Sequence, residues 1–277
     1  REGDWARLQH SIYSTACDAP FTRLPIILQH ITLSAPLILH LFVSAGHLTN
    51  GHLNDLKHYA MKIISVNAGL PREILHEGKV VRTGIFKLPV AGKVRVTALN
   101  LAGDAQADLT VHGGLRKAVY VYPAEHYDYW RKELPEVNFS WGMFGENLTT
   151  EGLAEKELNL GDRLWVGSVE LTVTEPRLPC YKLNAKFGRD DMVKRFLRGR
   201  RTGFYCAVLR EGEIAARDKI EFVSRDPNGL TVADITRIYA FDKNDENTLR
   251  RAVAATALSE DWRAYFRDRL AKASREA

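Results

Sequence analysis

The sequence predicts a mostly β protein with some α-helix, in which a β-barrel domain is followed by a small three-helix domain. From residue 61 to 225, short β-rich segments alternate with glycine-containing turns. Many strands with few helices are typical of a closed or nearly closed barrel. From residue 230 to 275, apolar residues recur at helical spacing instead. The chain has 277 residues, 45% of them hydrophobic, so it is long enough to bury a sizeable core.

Eight segments are predicted as strands because they are short, rich in β-branched or aromatic residues and bounded by turn residues. They are 62–66, 80–84, 94–99, 118–121, 163–166, 169–173, 204–209 and 219–222. Two helices are expected among them, one at about 125–133 and one at about 190–197.

Three helices are expected in the last segment. Thr231 and Asp234 have the spacing of a capping box, although Glu or Gln is usual at the third position. A second helix is expected around Leu249 and Val253. The third follows Ser259 and carries an apolar stripe that is more typical of a core than of a binding surface, formed by Trp262, Tyr265, Phe266 and Leu270.

Residues 1–60 differ from the rest. They contain six of the nine histidines, and no acidic or basic residue occurs from Leu24 to Asn54. Pro25 and Pro36 would break a membrane-spanning helix there. We therefore expect a non-native or disordered extension before a natural start at Met61, no membrane partner and a cytoplasmic protein. A weak membrane anchor is the alternative.

The charge is modest, with a formal net value of +5. Five basic residues lie close to glycines in the segment 194–203. Such a run suits a phosphate group, although a solvated basic surface is the more common explanation. Stable nucleic-acid binding is not expected, because no nucleic-acid-binding motif is present.

The three cysteines are too few for a disulfide scaffold or for the four thiolates of an iron–sulfur cluster. Cys180 directly follows the second of two prolines in PRLPCYK, so a rigid loop is predicted, and Arg177 and Lys182 would favour its thiolate. Packing as a small apolar residue is the alternative. Cys206 lies in an apolar strand and is expected to be an inert thiol, whereas Cys17 belongs to the extension.

Two glycine-containing segments are further candidates. In VHGGLRK, Gly113 and Gly114 could present backbone N–H groups to an anion beside Lys117. A simple turn, with a hydrogen-bonded His112, is the alternative. The loop 142–150 could hydrogen-bond an amide-rich ring system, or be an ordinary connection. Too few histidines follow Met61 for a zinc site of several histidines.

Together these segments resemble the MOSC family, named for the C-terminal domain of molybdenum cofactor sulfurases. The likeness is to its YiiM-like branch, which has a three-helix C-terminal extension. The stretches that carry it are VHGGLRKAVYVYPAEHYDYW, GMFGENLTTEGL, LNLGDRLWVGSVELTVTEPRLPCYKL and RRTGFYCAVLREGEI. One departure is Arg217-Asp218, where the family usually has a Gly-Asp turn.

The resemblance implies a β-barrel that binds the molybdenum cofactor, a pterin with a dithiolene and a phosphate. Cys180 would hold the metal or carry sulfur, since a soft thiolate suits either. The remaining site residues would line the pterin pocket (His112, Gly113, Gly114, Glu146, Asn147) or lie near the phosphate (Lys117, Arg177, Arg201).

The function implied first is a molybdenum-dependent reductase of small N-hydroxylated compounds such as hydroxylamino bases. Without a cluster of its own it would need an external electron donor. A second reading is a sulfur or cofactor carrier with a persulfide on Cys180. It could only accept sulfur, because no room remains for the pyridoxal-phosphate desulfurase found in full sulfurases. A third reading is a non-enzymatic binder of an anionic heterocycle.

Overall fold

The computed structural model describes residues 61–107 and 113–276, so the expectations for residues 1–60 lie outside the described residues. The strands are β1 Lys62–Ala68, β2 Arg72–His76, β3 Lys79–Thr83, β4 Leu88–Pro89, β5 Val94–Val96, β6 Val119–Pro123, β7 Leu148–Glu151, β8 Arg163–Val166, β9 Val169–Pro176, β10 Phe204–Arg210, β11 Gly212–Ile214 and β12 Ile220–Ser224. The α-helices are α1 Glu125–Glu133, α2 Tyr181–Phe187, α3 Met192–Gly199, α4 Val232–Ala240, α5 Glu246–Ala254 and α6 Glu260–Glu276.

Eight strands form one sheet in the order β12-β8-β9-β10-β6-β7-β1-β4, and two separate pairs join β11 to β5 and β2 to β3. The pair β6–β7 is parallel, and the other neighbouring strands are antiparallel. The structure is a large sheet with helices followed by three C-terminal helices, which confirms the expected fold class.

The sheet is not a closed barrel, so of the two expected forms, closed or nearly closed, the closed form is wrong. Its two ends approach each other, because the Ile63 N–H donates to the Asp218 carbonyl at 2.9 Å and the Arg217 N–H donates to the Ile63 carbonyl at 2.8 Å. This contact is an isolated bridge rather than a ladder. Arg217 has a φ of 76°, a left-handed conformation that favours glycine. The chain turns at this position, where the sequence departs from the family pattern, and the backbone of the turn forms the hydrogen bonds to Ile63.

Several elements were not predicted. The strands β2, β4 and β11 are short and depend on partners, and β7 lies within the segment expected to be a loop. Helix α2 begins directly after Cys180, and Pro176, expected outside any ladder, ends β9 opposite Phe204.

The C-terminal helices share one apolar core with the sheet. The capping box is present, since Thr231 Oγ1 accepts from the Asp234 N–H at 3.0 Å and Asp234 Oδ2 accepts from the Thr231 N–H at 3.1 Å. Trp262 and Phe266 are buried against sheet residues, so the predicted stripe is core. Within the described residues, no helix combines the length and the apolar character needed to cross a membrane.

Candidate functional site

Cys180 lies at the point where the chain leaves the sheet. Residues 177–180 are irregular, as predicted, and follow the last residue of β9. Cys180 has an extended backbone, precedes α2 and is only 7% exposed. The strand fixes one side of the cysteine and the helix fixes the other, so its position is set by the fold.

A cavity of about 110 Å³ opens beside Cys180. Its lining residues come from segments far apart in sequence, and four of them are cationic: Lys87, Lys117, Arg177 and Lys182. All four are buried or nearly so. We call this the cationic cavity.

Two of these cations have carboxylate partners. Lys87 forms a short ion pair with Asp104, whose Oδ2 also accepts from Asn147 Nδ2 at 2.7 Å. Burial lowers the pKa of Lys87, although Asp104 acts in the opposite direction. Lys117 Nζ lies 3.3 Å from Glu175 Oε1. The pairs reduce the cost of burying charge in this part of the cavity.

Arg177 is different, because among the described residues no carboxylate pairs with it. Its guanidinium lies 5.7 Å from the Tyr120 ring and 5.1 Å from the Phe196 ring. Its Nη1 is buried without a hydrogen-bond partner. A buried, charged donor left unpaired is costly. The cationic cavity is therefore suited to an anionic group that would supply the missing acceptor.

Glu146 and Asn147 are neighbours with different surroundings. Asn147 lines the cationic cavity. Glu146 does not, because its carboxylate is fully buried and accepts from the Gly142 N–H at 2.9 Å, the Phe144 N–H at 3.1 Å and the Tyr127 hydroxyl. Burial raises its pKa. Glu146 therefore holds the loop 142–147 in shape, which corrects its expected place on the cavity wall.

Other predicted residues lie away from the cavity. Arg201 Nη1 donates to the Gly199 carbonyl at 2.6 Å and its guanidinium lies 3.9 Å from the Tyr129 ring, so the structure does not bring Arg201 to the cavity. Gly113 and Gly114 do not line it. The Gly114 N–H donates to Gln106 Oε1 at 2.6 Å instead of being available to a ligand. His112 lies outside the described residues.

Sequence reasoning missed Lys87, Asp104, Tyr120 and Tyr205, which also line the cavity. Lys87 and Asp104 lie outside every stretch that carries the family resemblance, whereas Tyr120 and Tyr205 lie within two of those stretches but were not singled out. For Tyr205, one usable signal was its strand, since β10 pairs with the end of β9 that leads to Arg177. Burial raises the pKa of Tyr205 to about 12, so it is a neutral hydrogen-bonding group at physiological pH. Cys206 is buried in β10, and burial raises its thiol pKa, in agreement with an inert thiol.

Glu155 connects its own segment to Gly203, just before β10, and to His126 in α1. Its carboxylate accepts from the Gly203 N–H at 2.7 Å and lies 2.8 Å from His126 Nε2. Burial alone would raise its pKa, but these contacts outweigh burial and lower it. Because the folded-state pKa is depressed, ionised Glu155 stabilises the fold above pH 4.5, and this contribution is lost as pH falls through the folded pKa.

We expect Glu155→Gln to lower the free energy of unfolding by about 2 kcal/mol at neutral pH, because the hydrogen bonds from Gly203 and His126 no longer end on a charged carboxylate. The deficit should shrink as pH falls below 4.5, where Glu155 of the unfolded chain takes up a proton, and should vanish below the lower folded-state pKa, where the folded wild-type carboxylate is protonated too. Urea unfolding across this pH range measures it, with the exposed Glu157→Gln as control. A deficit independent of pH would contradict the assignment.

Comparison with known proteins gives the family. The MOSC domain model matches residues 108–221, and the model "YiiM-like, 3-alpha helix domain" matches residues 230–273. "Uncharacterized protein YflK" of Bacillus subtilis is 40% identical over 218 residues, which are 78% of this chain and 98% of the relative. The chain belongs to the MOSC family. "Protein YiiM" of Escherichia coli is 37% identical over 67% of this chain and 83% of the relative.

Solved structures agree with this assignment. YiiM from Geobacillus stearothermophilus has 35% identity and a TM-score of 0.65, and the match covers 76% of this chain and 99% of that one. A Gibberella moniliformis protein named "Reductase" is 33% identical over 64% of this chain, but that match covers only 32% of the fungal protein. The MOSC family is associated with molybdenum cofactor binding. Among the described residues, no cluster of three or more His, Cys, Asp or Glu is placed to hold a metal ion.

Proposed function

We propose that this MOSC protein binds the molybdenum cofactor and reduces N-hydroxylated compounds, such as hydroxylamino bases, with electrons from an external donor. The observation that carries the proposal is the free thiol of Cys180 in the same cavity as the buried, unpartnered Arg177 Nη1. A thiol that can hold a soft metal and a cation that lacks an anion are the two groups that this cofactor needs. The fungal relative named "Reductase" supports the redox class.

The side chains present offer the soft ligand and the cations that the cofactor needs, whereas the cavity volume of about 110 Å³ is below the roughly 300–1,000 Å³ typical of organic-ligand sites, so the cationic cavity would enclose only part of the cofactor. Cys180 would be the metal ligand, and the positive charge of Arg177 and Lys182 would hold the phosphate. Lys182 is 8% exposed and has no ion-pair partner among the described residues. Lys117 is engaged with Glu175 and would contribute mainly to the local potential. Asn147 would offer an amide to the pterin ring.

When bound, the cofactor supplies the two-electron chemistry by which a hydroxylamino group and two protons become an amine and water. The chain's own part is to bind and to orient. The cation pairs Lys87–Asp104 and Lys117–Glu175 keep the walls rigid, because each charge is buried beside its partner. Tyr205 lines the same cavity with a neutral hydroxyl that can hydrogen-bond a ligand.

The test is the composition of the full chain purified from a host that makes the cofactor. We expect about one molybdenum and one pterin per chain, and reduction of a hydroxylamino base only when a donor protein is added. Turnover at full rate with a nicotinamide donor alone would contradict the need for a donor protein. Persulfide on Cys180 without molybdenum would favour the sulfur carrier. A protein that contains neither molybdenum nor persulfide would favour the non-enzymatic binder.

A further inference from the structure

Cys180 also lines a second cavity, which has a volume of about 600 Å³. This cleft is formed by the segment 178–181, by helix α3 and by the end of α4 in the C-terminal helices. Cys180 is the one described residue that lines both cavities. Sites for small organic ligands are typically about 300–1,000 Å³, so the cleft is large enough for a ring-sized molecule.

The chemistry of the cleft differs from that of the cationic cavity. Leu178, Pro179, Val193 and Leu197 make its surface largely apolar. Its charged side chains are exposed at the rim and carry both signs: Asp190, Lys194 and Arg198. The surface therefore favours an uncharged ligand with apolar faces.

Three aromatic residues line the cleft, Tyr181, Tyr239 and Phe241, and each contacts another ring or a guanidinium; Tyr239 contacts Trp262. The Tyr181 ring stacks on His76, with ring centroids 4.5 Å apart. Phe241, directly after α4, lies 4.1 Å from the guanidinium of Arg200. Aromatic walls fixed before binding lose little entropy when a flat ring packs against them.

The polar group between these walls is already engaged. Asn184 Nδ2 donates to the Asp190 carbonyl at 2.8 Å, and its Oδ1 accepts from the Val193 N–H at 2.9 Å. The interior of the cleft therefore recognises a ligand mainly by shape and stacking.

We propose that this cleft binds the aromatic ring of the substrate, and that Phe241 is a specificity residue for planar bases, an inference that rests on the proposed function. A ring in the cleft would place its substituent toward Cys180, which borders the cationic cavity. The C-terminal helices would then select the substrate, while the sheet domain holds the cofactor.

The experiment measures binding of adenine, the amino product of a hydroxylamino purine, by calorimetry on the full chain. Loss of one stacking residue weakens base binding by about tenfold or more, and we expect this for Phe241→Ala. The matched control is Phe222→Ala, which removes a half-buried ring stacked by Arg225 at 4.5 Å that lines neither cavity. Cofactor-loaded protein should show a raised KM for the hydroxylamino purine and an unchanged KM for hydroxylamine, which has no ring.

Adenine binding that is absent, or equal in wild type and Phe241→Ala, would overturn the proposal. So would loss of molybdenum from Phe241→Ala, since the cleft would then belong to the cofactor. Failure of the proposed function gives a different result, because wild-type protein without molybdenum would still bind adenine through Phe241.

Discussion

Cys180→Ala is expected to remove bound molybdenum and to lower reductase activity by more than about 100-fold. Loss of residues that merely orient metal ligands typically costs about 10–100-fold in metal affinity or activity, so loss of the ligand itself should exceed that. The substitution removes one sulfur atom from a residue fixed between β9 and α2, so the fold should persist. Metal analysis and steady-state kinetics of the purified variant measure both effects.

The matched control is Cys206→Ala. Cys206 is fully buried in β10, lines neither cavity, and has a thiol pKa raised by burial. Its loss should cost stability and leave molybdenum content unchanged. If Cys180→Ala retains its molybdenum, or if Cys206→Ala loses it equally, Cys180 is not the metal ligand.

Local patterns in the sequence predicted those parts of the fold that local interactions determine. The capping box at Thr231 needs only Asp234, and the alternation in β8 needs only its own residues. Helix α2 was missed because it spans seven residues directly after two prolines. The prediction of a closed or nearly closed barrel left the degree of closure open, because the single bridge between β1 and the residues before β12 depends on backbone conformation.

The residues of the candidate site also fall into two groups, those that a local sequence motif reveals and those that only the fold brings together. Cys180 and Arg177 are close in sequence, so a motif could reveal them. Lys87 and Asp104 meet Asn147 only through the fold, and no spacing indicates this. Glu146 is adjacent to Asn147 in the sequence, yet its carboxylate is held inside the protein by backbone N–H donors. The direction of a side chain in a turn depends on such donors, which a sequence does not show.

Arg177→Met is expected to have opposite effects on ligand binding and on stability. Removing a buried charge from an anion site costs roughly 2–5 kcal/mol, so affinity for the cofactor should fall at least about 30-fold. In the ligand-free chain, however, Arg177 Nη1 is buried without a partner, a cost of about 1–3 kcal/mol that methionine does not carry. We therefore expect a free energy of unfolding that is unchanged or higher by about 1 kcal/mol after loss of the ring contacts with Tyr120 and Phe196 and of the hydrogen bond with Tyr205.

Lys117→Met provides the comparison, because its cation is already paired. Removing it would leave Glu175 buried and unpaired, so the ligand-free protein should lose about 3 kcal/mol. Urea unfolding of both variants without cofactor, with molybdenum content measured in parallel, separates the two roles. Arg177→Met that is as unstable as Lys117→Met would mean that Arg177 holds the fold. A stable Arg177→Met that cannot retain the cofactor would mean that its guanidinium is kept charged and unpaired for an anion, at a cost in the stability of the empty protein.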